Sequence, residues 1–83
     1  MNKLMLEIYL PAALKSYDVQ VPADLQISQI TELAARALSQ IVGGLYRSDG
    51  QALLCERDSG AILNINMTPG ELGLRNGSRL MLV

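Results

Sequence analysis

Two alternating stretches near the start of the chain predict a pair of β-strands. In residues 3–10, apolar residues occupy every second position, and Met5, Glu7 and Tyr9 stand between them. This period of two is typical of a strand with one buried face. Residues 16–22 alternate again, and a proline ends each run because it cannot donate to a strand ladder. We therefore expect residues 11–15 to form a hairpin loop rather than a tight two-residue turn.

From Ile27 onwards the spacing of apolar residues changes to that of a helix. The predicted buried stripe comprises Ile27, Ile30, Leu33, Ala34, Ala37, Leu38 and Ile41. Three residues are alternative N-caps, namely Asp24, Gln26 and Ser28. The pair Gly43 and Gly44 is expected to end the helix, because glycine adopts a left-handed conformation at low cost.

The last third of the chain is expected to consist of short strands and turns. Residues 51–56 follow a turn at Asp49 and Gly50, and residues 61–65 are a second short candidate strand. Residues 71–74 suit a single helical turn or a loop that plugs the core. A turn at Asn76 and Gly77 introduces a final apolar strand, residues 79–83, in which the sequence stops. We therefore expect no mobile tail beyond this strand.

These elements predict one domain, residues 1–83, of the α+β class. The expected architecture is a β-grasp (ubiquitin-like) fold, with a mixed four- to five-stranded sheet packed on one helix. If Leu80 and Leu82 face the helix, their neighbours in the strand emerge on the opposite face of the sheet. If the first and last strands are adjacent, Met5 joins Met81 and Val83 in an exposed apolar patch. The candidate partner-binding residues are Met5, Tyr9, Arg79, Met81 and Val83.

An exposed apolar patch of this kind is typical of an interface. Methionine suits such a surface because its side chain is flexible and polarizable. Self-association and the absence of any role are the alternatives. Charged residues make up only 18% of the chain, which agrees either with a sheet face covered by a partner or with an ordinary surface.

The composition restricts the other classes of function. The chain has 49% hydrophobic residues but no Phe and no Trp, so its core must be aliphatic. A net charge of −1 without any basic run argues against nucleic-acid binding. No apolar stretch approaches the ~20 residues that cross a bilayer, so membrane insertion is not expected. A single cysteine and no secretion signal favour a cytoplasmic location.

The side chains that most catalytic and metal sites need are scarce. With no His and one Cys, the chain lacks the ligand set of a zinc site, and Cys55 lacks a histidine to hold it as a thiolate. Asp49, Glu56 and Asp58 are expected to be turn residues rather than a metal cluster. We therefore expect no catalytic residue, no metal and no cofactor, and conclude that this is not an enzyme.

The final segment also carries a family resemblance. Residues 73–83 read Gly-Leu-Arg-Asn-Gly-Ser-Arg-Leu-Met-Leu-Val, and residues 17–22 read Tyr-Asp-Val-Gln-Val-Pro. Both resemble the YukD/EsaB family of small bacterial ubiquitin-like proteins, although Ser78 stands where that family usually has aspartate. The resemblance implies a non-conjugated cytoplasmic accessory or regulatory protein of a type VII (ESX-like) secretion system. It also implies a protein partner in the cytoplasmic part of a membrane secretion machine.

Two other hypotheses remain. One is a ubiquitin-like sulfur carrier or protein modifier whose C-terminal tail is missing from this sequence. Such proteins need a free carboxylate on a flexible diglycine end, and the internal pair Gly43 and Gly44 is better explained as a helix cap. The other is a homodimer joined through an edge strand or the sheet face.

Overall fold

The computed structural model describes residues 3–46 and 51–83, which form one mixed sheet covered by one helix. The elements are β1 (Lys3–Leu10), β2 (Lys15–Pro22), α1 (Ile27–Val42), β3 (Leu54–Glu56) and β4 (Arg79–Leu82), and a 3-10 turn, Gly43–Leu45, follows the helix. The strand order is β2-β1-β4-β3. Only the central pair, β1 and β4, is parallel. This is the predicted β-grasp arrangement, with four strands.

The alternation of β1 divides its side chains between the helix and the opposite side of the sheet, as predicted. Leu6, Ile8 and Leu10 are fully buried in the core beneath α1. Leu80 and Leu82 of β4 join them, so both central strands contribute one apolar face to the same core. The strands predicted over residues 3–10, 16–22 and 79–83 are therefore confirmed as β1, β2 and β4, with bounds that differ by at most one residue.

The buried side of α1 differs from the predicted stripe. Leu33, Ala37 and Ile41 are exposed, whereas Thr31 and Ala35 are buried. The reason is that the sheet lies under an arc of the helix centred between Ala34 and Leu38, and the predicted stripe extended beyond that arc on one flank. The Thr31 hydroxyl is satisfied by donating to the Ile27 carbonyl at 2.7 Å, so its burial leaves no unpaired polar group.

Both ends of α1 are stabilised locally. Gln26 is the N-cap residue, and its backbone N–H donates to Gln29 Oε1 at 3.2 Å. Of the three candidates, the N-cap is therefore Gln26. At the other end, Gly43 follows Val42 with a φ of +63° and a ψ of −126°. The helix therefore ends at the glycine pair as predicted, although Gly43 has a positive φ without the left-handed helical ψ.

The third quarter of the chain contains less strand than predicted. In the predicted strand 51–56, only Leu54–Glu56 is a regular strand, although Leu53 exchanges two backbone hydrogen bonds of 2.9 Å with Val83. The predicted strand 61–65 is reduced to a single bridge between Cys55 and Ile62. Residues 61–65 pair with β3, which has only three residues and therefore offers them few ladder positions. The predicted turn at Asp49 and Gly50 lies outside the described residues.

The segment before β4 closes the core with turns. The N–H of Leu74 donates to the Pro69 carbonyl at 2.9 Å, and Pro69 is fully buried. Leu72 and Leu74 pack against the core, as the predicted plug requires. The following turn is held by the Ser78 hydroxyl, which accepts a hydrogen bond of 2.8 Å from the N–H of Arg75.

Candidate functional site

The candidate site is the outer face of the sheet, defined here as the face turned away from α1. The parallel register of β1 and β4 pairs Glu7 with Arg79 and Tyr9 with Met81. On the other side of β4, Met81 pairs with Cys55. Val83 continues the apolar row beyond Met81 and is 48% exposed. All five predicted site residues therefore lie on this face, and four of them, all except Met5, lie close together.

The structure corrects the predicted patch at Met5. Met5 is on the outer face and 40% exposed, but the charged pair Glu7 and Arg79 separates it in the register from Met81. Its backbone is tied to the turn before β4, since the Met5 N–H donates to Asn76 Oδ1 at 2.8 Å. The apolar surface is therefore interrupted by a row of charges rather than continuous.

Arg57 is the residue of this face that the sequence reasoning missed. Its guanidinium lies over the Tyr9 ring, 4.4 Å from the ring centroid. Its Nη1 donates to Glu7 Oε2 and to Ser16 Oγ, each at 3.2 Å. Glu7 Oε2 also forms an ion pair with Arg79 Nε at 3.6 Å. One side chain thus connects the end of β3 with β1 and β2 and packs over the Tyr9 ring.

A sequence signal for Arg57 existed. Arg57 follows Cys55 by two positions, the strand period that places both on one face. The predicted strand ends at Glu56 and is followed by a turn at Asp58, Ser59 and Gly60, so the prediction gives Arg57 no place on the sheet. The turn does begin there, but the Arg57 N–H still donates to the Arg79 carbonyl at 3.1 Å. That bond directs the side chain back over the sheet.

The ion pairs of Glu7 with Arg57 and Arg79 determine how charge is distributed on the outer face. Glu7 is shared by two arginines, and Asp18 lies across from it on the same face, so two positive and two negative side chains meet at the centre of the face. The side chains of Glu7 and Arg57 are partly shielded from solvent, whereas that of Arg79 is about half exposed. Such a face offers an aromatic ring, a methionine and an available guanidinium, which are residue types enriched at protein interfaces.

The structure also locates the cysteine and the carboxylates considered for other kinds of site. Cys55 is 4% exposed within β3, which agrees with its interpretation as a structural thiol. The part of the chain that the structure describes has no cluster of His, Cys, Asp or Glu able to hold a metal ion. Glu56 and Asp58 belong to this part, and Asp49 lies outside it. None of the helices in the described ranges has the length and hydropathy needed to cross a bilayer.

The helix side of the molecule has an open groove of about 1010 Å³ between α1 and the segment that leads into β3. Thr31, Ala35 and Ser39 line it from the helix, and Ala52 and Leu53 from the other side. Residues 47–50, which connect these walls, lie outside the described residues. The groove identifies which flank of α1 is turned toward β3.

Comparison with known proteins agrees with this geometry. Residues 6–82 match the family described as the WXG100 protein secretion system (Wss) protein YukD. No curated protein matches the sequence. The family match covers nearly all of the described elements, from β1 through β4.

Solved structures share the fold at low identity. The ubiquitin-like domain of the Mycobacterium tuberculosis type VII secretion system protein EccD1 has a TM-score of 0.78 at 17% identity, covering 100% of this chain and 99% of that one. The EccD5 ubiquitin-like domain from Mycobacterium xenopi has a TM-score of 0.75 at 21% identity, covering 100% and 94%. A chain of a toluene 4-monooxygenase HD complex reaches 0.82 at 16% identity, covering 99% and 98%.

A chain of the ESX-5 inner membrane complex has a TM-score of 0.82 at 18% identity, covering 98% of this chain and 20% of that one. At these identities the likeness establishes the fold alone, which is ubiquitin-like. The family match extends over most of the sequence and provides the assignment. The chain belongs to the YukD family of the WXG100, or type VII, protein secretion system.

Proposed function

We propose that this domain is a non-catalytic cytoplasmic accessory or regulatory component of a type VII secretion system. It acts by binding a protein component of the secretion machine, without conjugation to other proteins. The observation that carries the proposal is the outer face, where Tyr9, Met81 and Val83 lie beside the arginines that share Glu7. Family membership supports the secretion pathway.

The binding mode follows from the order of this face. Tyr9 is held beneath the Arg57 guanidinium, so binding a partner costs little side-chain entropy at that position. Met81 and Val83 supply the adaptable apolar contact, and Arg79 supplies a charge for an acidic group of the partner. The EccD ubiquitin-like domains and the ESX-5 membrane complex contain the same fold, which supports a partner within such a machine.

The experiment is a pull-down from detergent-solubilised membranes of the source cells, with type VII secretion components quantified by mass spectrometry. We expect Met81→Asp and Val83→Asp each to reduce recovery at least fivefold, because each places a carboxylate in the apolar row. Leu14→Asp is the matched control, since Leu14 lies in the hairpin loop and is 80% exposed. Circular dichroism verifies that each variant is folded.

Two results would contradict the proposal. Undiminished recovery with folded Met81→Asp and Val83→Asp proteins would remove the outer face as the binding surface. An intact-mass measurement of the native gene product that found additional residues ending in Gly-Gly would instead support the sulfur carrier or modifier hypothesis. Met5→Asp is expected to have a smaller effect than Met81→Asp, because the charged row separates Met5 from the rest.

A further inference from the structure

The edge strand β2 presents unpaired backbone groups. β2 is the outermost strand, and β1 is its only ladder partner among the described residues. The N–H of Glu7 donates to the Ser78 carbonyl at 2.9 Å, so Glu7 and its alternate neighbours turn their backbone groups toward β4. Leu6 and Ile8 therefore face β2 and are paired there with Val19 and Tyr17.

The alternation of an antiparallel ladder then determines which β2 groups point away from the sheet. Ser16, Asp18 and Gln20 direct both N–H and C=O outward. No described residue forms a backbone hydrogen bond to any of the three. The opposite edge of the sheet differs, since Glu56 and Leu63 form backbone bonds that partly cover β3.

An exposed apolar flank of α1 is turned toward the same edge. Leu33, Ala37 and Ile41 stand one turn apart and are exposed, with Leu33 at 48% and Ile41 at 64%. The opposite flank of the helix lines the groove toward β3, so this flank is on the β2 side. On the helix side of β2, Tyr17 and Val19 are half-buried against the core. The exposed apolar flank of the helix and these β2 side chains therefore belong to the same side of the molecule, at the free edge of the sheet.

The side chain of Asp18 gives this edge a negative charge. Asp18 stands directly across from Glu7 on the outer face, an unfavourable pairing of like charges. Glu7 is compensated by Arg57 and Arg79. Among the described residues, no lysine or arginine forms an ion pair with Asp18. A cation opposite Asp18 on an added strand would relieve this repulsion.

We propose that the β2 edge and the α1 flank form one docking site for an extended segment of another protein, which adds to the sheet as a fifth strand. Its alternate apolar side chains would pack on Leu33, Ala37 and Ile41, and a Lys or Arg would stand opposite Asp18. A second copy of this chain fits less well, because two-fold pairing centred on Asp18 places two carboxylates opposite each other. The site is separate from the apolar row on the outer face, so either proposal can fail independently.

The test uses a synthetic peptide of nine residues that alternates threonine and valine and has arginine at its centre. Amide hydrogen exchange of the ¹⁵N-labelled protein is followed by NMR with and without the peptide. We expect exchange at Ser16, Asp18 and Gln20 to slow at least tenfold, while Tyr17 and Val19, already bonded to β1, change little. This pattern of alternate amides is specific to strand addition.

Variants test the two halves of the site. Asp18→Lys should weaken binding of the arginine peptide about fivefold and favour a peptide with glutamate at its centre. Gln20→Pro removes one outward N–H without removing a ladder bond, and should abolish protection at Asp18. Leu33→Lys should reduce affinity at least fivefold, whereas Glu32→Ala, with the same change in charge on the other flank, should not.

The overturning results are distinct. The proposal is wrong if 1 mM peptide leaves the exchange of all three outward amides unchanged. It is also wrong if they are protected without peptide and light scattering shows a dimer, because the edge would then pair with itself. Equal losses of affinity for Leu33→Lys and Glu32→Ala would show that the change in charge weakens binding, and the helix flank would then not be part of the site. Met81→Asp should retain peptide binding, which separates this result from the test of the outer face.

Discussion

The Arg57 side chain is predicted to order the outer face, and its removal has a calculable cost. The cation–π contact with Tyr9 contributes about 0.5–1 kcal/mol at a partly exposed site. The ion pair with Glu7 adds about 0.5 kcal/mol after allowance for solvent screening. The hydrogen bond to Ser16 adds roughly 0.5 kcal/mol. Arg57→Ala should therefore lower the free energy of unfolding by about 1.5 kcal/mol.

The matched control is Arg79→Ala. Arg79 belongs to the same face, but its side chain is 53% exposed and reaches Glu7 only at 3.6 Å. Its removal should cost less than about 0.5 kcal/mol. Both variants lose one positive charge, so their difference isolates the position of Arg57 from the general effect of charge.

Urea unfolding followed by circular dichroism measures both values. For a domain of this size, 1.5 kcal/mol corresponds to a decrease in Tm of roughly 6–12 °C. A double-mutant cycle of Arg57→Ala with Tyr9→Leu should give a coupling energy of about 0.5–1 kcal/mol, because leucine keeps the apolar volume but lacks the ring. Equal destabilisation by Arg57→Ala and Arg79→Ala, or a coupling energy near zero, would refute the reasoning.

Three further predictions concern stability, each measured by urea unfolding. Gly43→Ala should destabilise the protein by about 1–3 kcal/mol, because Gly43 has a φ of +63°. Gly44→Ala is the control and should cost under about 0.5 kcal/mol, because Gly44 has a negative φ and open space around it. Similar values for the two variants would contradict the role of Gly43 in ending the helix. Leu14→Gly should stabilise by about 0.5–1 kcal/mol, since Leu14 holds a φ of 52° while 80% exposed; a loss would show that the leucine makes an unseen contact. Leu82→Ala should cost about 2–5 kcal/mol, because Leu82 is fully buried in β4; a cost under 1 kcal/mol would place the last strand outside the core.

The elements with strong periodicity could be predicted from sequence because their burial is one-sided. The run 3–10 allows only one face inward, and the structure buries Leu6, Ile8 and Leu10. The helix was equally well marked, from its first apolar residue to Gly43. The width of the buried arc of the helix could not be predicted, because that width depends on how far the sheet extends beneath the helix.

The weaker elements depended on partners that are distant in sequence. Leu54–Glu56 is a strand only where β4 supplies ladder positions, and residues 61–65 receive one bridge. Short apolar runs lack enough periodicity to determine their own pairing. Their conformation is decided by tertiary contacts.

The candidate site was likewise predictable from the sequence in part, and the rest depends on the strand register. Alternation alone placed Tyr9, Met81 and Val83 on one face, since side chains two residues apart share a side of a strand. The register of β1 with β4 decided that Glu7 and Arg79 stand between Met5 and Met81. Only the folded chain brings Arg57 over Tyr9, because Tyr9 is in β1 whereas Arg57 follows β3, and a long side chain spans the distance.

The sequence by itself determined the fold class, the helix and its glycine end, the two faces of the central strands and the family. These follow from local periodicity and from backbone conformations that particular residues favour or forbid. The tertiary structure alone decided the strand register, the charged row across the outer face and the exposure of the α1 flank that is turned toward β2. Those features arise where segments far apart in the chain meet, and no local pattern specifies the alignment of one segment against another.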